Sequence, residues 1–379
     1  MRPRLFVAVA VSVAVAGIVC LNQRLVQAGE QPSASSYKVL DPIRHGSLTV
    51  FPVAAPKSYA TAEFLTLDEG LRSGDVVVTE YGNVRGLLRR RHITPAMQHD
   101  SADVNRLVLI NNSKHPLLLL AGEIVTGGKQ DRVIGKDRIV PPESDPVDLS
   151  VFCVEPGRWV ATSDHFGTSG TTYGSGSAGG IGGGVYRGVM AQPSVRAKAM
   201  GDKDQNQVWA EVRKQQQAME TVEVAASAAP VPTTSYARVM ENKDVKEKVD
   251  EVARPIEQNY QSLIKQLRDR KAVGVVVAVN GRIIWSDVFA STELLEKYWP
   301  KLVRSYASEA VVTRAKGGEA SLSQAEAFLA DRDGHKETIE SEPGIYRHTE
   351  INGDGFKAFA LTSLLPKTGF DVHVAKMAE

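Results

Sequence analysis

The chain has 379 residues, 42% hydrophobic and 23% charged, an ordinary globular composition that excludes a disordered chain and allows one large core or two modest ones. Its 45 basic residues nearly balance 44 acidic ones, which excludes a general attraction to nucleic acid or to an anionic membrane face. Charge-driven binding has to be local.

The chain opens with a short basic head, Arg2 and Arg4, followed by an uncharged apolar run from Leu5 to Leu21 and by small residues at Ala28 and Gly29. This pattern predicts an export signal over 1–28, then a polar linker over 29–36, with an uncleaved membrane anchor as the alternative. Either way the body, a single domain over 37–379, is expected outside the cytoplasm, periplasmic or secreted, with the membrane touched only through an uncleaved N-terminal segment. Removal of the signal leaves Cys153 as the only cysteine, so no internal disulfide forms and stability rests on packing. Within "VDLSVFCVEP", Cys153 reads as a small buried hydrophobe rather than a catalytic thiol.

The segments "SLTVFPV", "DVVVTE", "VNRLVLINN", "HPLLLLAGEIV", "DRIVPP" and "DPVDLSVFCVEPGRW" are β-rich runs separated by Pro, Asn, Asp and Gly. One helix interrupts them at "TLDEGLRSGD", with Leu67 and Leu71 on one face and Gly74 as its stop. From Gly167 to Gly188 the chain is glycine- and serine-rich and reads as a flexible surface loop. Its formal GxGxxG at Gly174, Gly176 and Gly179 follows no strand and opens no amphipathic helix, so it is not a dinucleotide fingerprint.

Helices follow: one with Val208, Trp209, Val212 and Met219, then, after a linker-like "AASAAPVPTTS", one with Val245, Val249, Val252 and Ile256. Pro255 is expected to start or kink a further segment carrying Tyr260, Leu263, Ile264 and Leu267. "VGVVVAVNGRIIWSDVF" predicts a β-hairpin, because Asn280-Gly281 tolerates the positive φ values of a type I′ turn. "STELLEKYWPKLVRSYASEA" has a Ser/Thr N-cap and an apolar stripe at helical spacing. "LADRDGHKETIE" reads as a solvated turn, since Leu329 stands where a calcium loop needs its first oxygen ligand. Further strands surround the Asn-Gly-Asp-Gly turn near the C-terminus. The fold class is α+β, with a β-rich N-terminal half and C-terminal β-hairpins packed with several amphipathic helices.

Two strand ends carry the chemistry. Glu123, Lys129, Gln130 and Arg132 flank the pair Gly127-Gly128, where a tight turn is expected to bring the returning strand back beside Glu123. Arg132 and Lys129 then suit a phosphate or carboxylate, with Glu123 as candidate base. Glu155, Arg158 and Trp159 lie at a second strand end, Arg158 suited to an anion and Trp159 to a flat ring. Against this stands a plain cross-strand ion pair on a solvated hairpin, worth little stability. There is no GxSxG, no HExxH, no paired cysteines and no metal spacing among the histidines, so no metal or cofactor is expected.

The blocks "LLLLAGEIVTGGKQDRVIGKDRIVPP", "LSVFCVEPGRW", "QNQVWAEV" and "VVAVNGRIIWSDVF" with "LLEKYWPKLVRSYASEA" follow one another in an order that resembles the ADP-ribosylglycohydrolase- and rhodanese-phosphatase-associated protein domain, a domain of unknown function. The resemblance implies a component of ADP-ribose- or NAD-related metabolism, by association only. It carries over Glu123, Lys129, Gln130, Arg132, Glu155, Arg158 and Trp159 as family polar positions, with Gln205, Asn280 and Asp287 beside them. Two functions stay open: a domain that binds or processes an anionic small molecule, phosphorylated or nucleotide-like, and a non-catalytic envelope module that binds a protein or cell-wall partner. They differ in whether the charged side chains line a hollow or a flat, wet hairpin.

Overall fold

The computed structural model describes residues 37–80, 106–158, 160–163, 165–168, 188–223, 233–267, 271–313 and 317–379. The expected signal and linker, Trp159, and the Gly/Ser-rich segment apart from Gly167, Thr168 and Gly188 lie outside them. The mixed α+β class holds, with twelve of the eighteen strands preceding residue 169.

Nine strands build one large sheet: β1 (Lys38–Val39), β2 (Ile43–His45), β3 (Leu48–Ala55), β13 (Lys271–Val279), β14 (Arg282–Phe289), β15 (Gly334–Glu342), β16 (Tyr346–Gly353), β17 (Phe356–Ser363) and β18 (Asp371–Ala378). Their order is β1-β3-β13-β14-β18-β17-β16-β15, with β2 also on β3, and every pairing is antiparallel. The hairpin expected at Asn280-Gly281 joins β13 to β14, both turn residues having positive φ (50° and 78°). β3 is buried along its whole length because helices cover both faces at this end of the sheet. On one face lie α5 (Lys243–Gln266) and α6 (Thr292–Val312), whose Leu294, Leu295, Tyr298, Trp299, Leu302, Val303 and Tyr306 are all buried. On the other lies α7 (Leu322–Ala330), with Ala325 and Leu329 against Val53, Val276 and Val288.

A six-stranded closed barrel forms the second body, in the order β11-β6-β5-β12-β8-β9. Its strands are β5 (Val76–Glu80), β6 (Arg106–Asn111), β8 (Ile124–Gly127), β9 (Arg132–Ile134), β11 (Val147–Cys153) and β12 (His165–Thr168). Val76, Val78, Leu107, Leu109, Val125, Ile134, Leu149, Val151 and Phe166 share one buried cluster, the barrel's filling. α1 (Leu67–Ser73) extends it, opened by a Thr66/Glu69 capping box and closed, as its sequence predicts, at Gly74, which is left-handed. The strands β4 (Leu65–Thr66), β7 (Leu117–Leu119) and β10 (Arg138–Val140) form a small third sheet. α2 (Pro193–Ala197), a π-helical turn over Lys198–Asp202, α3 (Gln205–Glu223) and α4 (Tyr236–Glu241) complete the helices.

Four sequence expectations need correction. "HPLLLLAGEIV" is not one strand: β7 and β8 belong to different sheets, and the chain breaks between them at Gly122 (φ +96°). Of the two readings for Pro255, a start or a kink, the start is excluded, since α5 runs through it. α4 and α7 were not foreseen, and "GHKETIESE" is the exposed edge strand β15, its charges protecting an open sheet edge. Gly167 and Thr168 are strand residues of β12, paired with Thr126 and Val125, and so are not part of a flexible loop.

The break at Gly122 is where barrel and sheet are tied together. The Leu120 amide donates to Glu123 Oε2 (2.7 Å) and the Ala121 amide to Asp137 Oδ1 (2.7 Å), so side chains take bonds a strand ladder would have used. Asp137 Oδ2 meets His373 Nδ1 at 2.6 Å, and His373 Nε2 meets Asp287 Oδ1 at 3.1 Å. Asp287 also accepts both terminal nitrogens of Arg196 (2.9 Å each) and the Tyr306 hydroxyl. Arg196 stacks over Trp285 at 4.4 Å, and Asp137, Arg196, Asp287 and His373 are all wholly buried. Burial opposes each charge, but the partners outweigh it: Asp287 is held far below the usual carboxylate range by Arg196 and His373, and His373 is pushed up to about 9 by Asp137 and Asp287.

Two outcomes follow. An alanine Cβ at Gly122 would stand 2.6 Å from Arg196 Cγ, on top of the backbone strain, whereas Gly74 (φ +77°) has open space around it. Gly122→Ala is expected to lower the unfolding free energy by at least about 3 kcal/mol and Gly74→Ala by only about 1 to 2 kcal/mol in urea titrations. Equal costs would show that the Arg196 contact is not constraining. Because His373 is raised above its ordinary 6.5, its contribution is complete below that pH and is lost as pH rises through about 9. Wild-type stability should fall on the order of 3 kcal/mol over that range, and His373→Gln should be less stable with that slope removed. An unchanged slope would contradict the pairing.

Candidate functional site

The polar end of the barrel assembles most of the sequence-predicted residues. Side chains alternate along a strand, so Glu80 shares the inward face of Val76 and Val78, Arg132 that of Ile134, and Cys153 that of Leu149 and Val151. All three lie at one end, where β9 pairs with β11 through Arg132 and Cys153. The turn Gly128–Asp131 closes the β8–β9 hairpin here, with Gly127 and Gly128 both at positive φ. A Cβ at Gly128 would strike the Phe166 ring at 2.2 Å, so glycine is required for the turn to sit against the barrel filling.

This turn meets the second predicted block. The Asp131 amide donates to Glu155 Oε2 (3.0 Å) and Gln130 Nε2 to the Glu155 carbonyl (3.1 Å), while Arg158 Nη1 donates to the Gly128 carbonyl (2.9 Å). Arg158 also forks onto Glu155 through Nε (2.6 Å) and Nη2. Asp131 accepts the Gly127 amide (3.1 Å) and the Ser235 hydroxyl (2.5 Å), which ties in the N-cap of α4. Burial, then Glu155, pushes the Asp131 carboxyl up; burial opposes the Arg158 charge, but Glu155 outweighs it and raises Arg158. Lys129 is half-buried, its amide donating to Glu80 Oε1 (2.9 Å).

Arg132 differs from its neighbours. It has no exposed surface, yet among its nitrogens only Nη1 has a partner, the Asp131 carbonyl at 3.4 Å; Nε and Nη2 have none. Burial pulls its pKa down, with Cys153, Glu80 and Asp131 acting against that. Glu80 Oε2 and Gln130 Oε1 are likewise buried without partners. Two donors on one guanidinium edge and two separate acceptors thus stand unsatisfied in this region, where buried polar groups are normally bonded.

Glu123 is placed elsewhere. The hairpin registers Val125 against Arg132, so the residue beside Glu123 is Ile134, not Arg132, and the expected return beside Glu123 is corrected by the length of the hairpin. Glu123 Oε1 accepts Lys301 of α6, which also reaches Asp68 Oδ2 at 2.7 Å, and the Leu120 amide occupies Oε2. Burial pushes the Glu123 carboxyl up, while burial of Lys301 is outweighed by Asp68 and Glu123, which hold its ammonium charged. Of the remaining family positions, Gln205 brackets the Cys153 backbone (2.8 and 2.9 Å), Asn280 is the hairpin turn, and Asp287 belongs to the buried network. Sequence reasoning did not single out Glu80, Asp131 or Lys301; Asp131 sat inside the quoted "GGKQDR", but the partners of Glu80 and Lys301 lie 49 and 178 residues away. Among the described residues no group of His, Cys, Asp and Glu is placed to hold a metal ion, and no helix is long and apolar enough to cross a membrane.

The family model for the ARG and Rhodanese-Phosphatase-superfamily-associated Protein domain matches residues 36–376. The chain belongs to that family. The domain thus takes in the barrel, the small sheet and nearly all of the large sheet. Comparison with curated proteins and with solved structures gives no match.

Cys153 is fully buried, and burial pushes its thiol up. In a Cys20→Ser chain, Ellman's reagent at mildly alkaline pH is expected to label the native protein at least about a hundredfold more slowly than the unfolded one. Rapid stoichiometric labelling of the native state would contradict this placement.

Proposed function

We propose that the domain binds a small anionic ligand, phosphorylated or ADP-ribose-like, at the polar end of the barrel. The observation that carries this is the open Nε–Nη2 edge of Arg132, since these two parallel donors match the oxygens of a phosphate or carboxylate. A buried guanidinium with one long hydrogen bond is costly, and an oxyanion on that edge offsets the cost. Gln130 Oε1 and Glu80 Oε2 are acceptors without donors, which suits a ligand that brings hydroxyl groups with its charge, as a sugar phosphate does.

Glu155 and Arg158 do a different job. Forked onto each other, they neutralise their own charges and brace the Gly128–Asp131 turn that covers Arg132. Glu123 has both oxygens engaged, so no base and no reaction is assigned. Because Arg132 has no exposed surface, entry requires a local opening of the barrel end, which lowers apparent affinity by the fraction of molecules open. The signal-like segment at 1–28 favours a ligand met outside the cytoplasm.

Calorimetric titration of the chain with ADP-ribose, ribose 5-phosphate and inorganic phosphate tests this. Arg132→Lys keeps the charge and loses the fork, and is expected to weaken binding at least about tenfold. Silence of the wild type toward all three at millimolar ligand, or equal affinity in the variant, would overturn it.

A further inference from the structure

One more polar residue stands unsatisfied outside the barrel wall, away from the barrel end. Along β11, Leu149, Val151 and Cys153 point inward, so Ser150 and Phe152 point outward, toward the large sheet. Between them and β16–β17 lies a cavity of about 270 Å³, close to the lower end of the range for small-molecule sites. Phe152, Phe359 and Met200 of the π-helical turn line it. That turn is closed by Lys203 in the left-handed conformation (φ +54°), and isolated π turns of this kind recur at binding sites.

His348 lines the same cavity. It is 1% exposed, its ring lies 6.0 Å from that of Phe359 at an interplanar angle of 23°, and neither ring nitrogen has a hydrogen-bond partner. The facing charges are spoken for: Lys136 pairs with Glu340, and Lys203 with Glu350 at 2.7 Å. Asp137, nearest of the carboxylates in its effect on His348, is bonded to His373 and to the Ala121 amide. Burial pulls the His348 imidazole down to about 4, so near neutrality it offers one N–H donor and one lone pair.

Contrast this histidine with His373. Both are buried, but His373 is bonded on both nitrogens within the tie between barrel and sheet, and its place is fully explained by the fold. His348 has no such role. A buried imidazole with two idle nitrogens, between aromatic walls, is built to read the edge of a flat polar ring.

We propose that this cleft between the barrel and the large sheet binds a planar nitrogen heterocycle of one or two rings, stacked between Phe152, Met200 and Phe359 and hydrogen-bonded to His348. The thioether and the two rings accept any flat molecule, so His348 supplies the discrimination between heterocycle and carbocycle.

The test uses the full chain and two probes of one shape, isonicotinamide, which carries a ring nitrogen acceptor, and benzamide, which lacks it. With histidine labelled by ¹⁵N, isonicotinamide is expected to move the His348 ring-nitrogen resonances and to bind at least about threefold more tightly than benzamide, the ratio one added buried hydrogen bond produces. His348→Phe keeps the ring and should abolish that preference; His348→Gln, which keeps a donor and an acceptor, should retain part of it. Equal affinities in the wild type, a preference that survives His348→Phe, or no shift of His348 with either probe at its solubility limit would overturn the proposal. The wild-type resonance shift stands whether or not either variant folds.

Discussion

Four residues, Leu120 to Glu123, hold the molecule's two bodies in register. The Leu120 amide binds Glu123 and the Ala121 amide binds Asp137, and through those carboxylates the segment reaches Lys301 of α6 and the His373–Asp287–Arg196 network of the large sheet. Buried charges are expensive to desolvate, and such networks stay native only when every partner is present and well placed. The arrangement therefore fixes the barrel against the sheet in one geometry. It requires Gly122, since the Arg196 side chain occupies the space a Cβ would fill.

The same rule, applied to two arginines, sets them apart. Arg196 and Arg132 both have no exposed surface. Arg196 is forked onto Asp287 through both terminal nitrogens and stacked on Trp285, so its charge is paired within the fold although its Nε has no hydrogen-bond partner. Arg132 has one long bond to a backbone carbonyl and an open edge. Proteins do not ordinarily leave a guanidinium edge idle in the interior. Its neighbours Arg158 and Glu155 are satisfied by each other, whereas Arg132, Gln130 and Glu80 each keep an unsatisfied buried polar atom. His348 repeats the contrast against His373 on the other side of the wall.

What the sequence made legible was local. Asn280-Gly281 needs only its own φ values to specify a hairpin, and the Leu67–Leu71 face with its stop at Gly74 marks a helix from adjacent residues. The apolar stripe of α6 reads from helical spacing alone. Both "GGKQDR" and "EPGR" stand out in the sequence as charged strand ends, and the structure joins them through Gln130, Asp131 and Arg158. What stayed hidden depends on partners far along the chain. "LLLLAGE" reads as one strand because nothing within it shows that Asp137 and Glu123 will take its amides, or that Lys301, 178 residues on, will neutralise Glu123. Pro255 reads as a helix start or a kink, and α5 continues through it with Ala253, Ile256 and Tyr260 buried, the packing of that face outweighing one lost backbone bond.

The open edge of Arg132 is directly observable through its Nε–H resonance, which Arg132→Lys identifies by deletion. Addition of ADP-ribose to the ¹⁵N-arginine-labelled chain should shift that resonance downfield and slow its exchange with water, as an oxyanion seats on the Nε–Nη2 edge. An Arg132 signal that stays in place while other arginines respond, or while none does, would contradict the account.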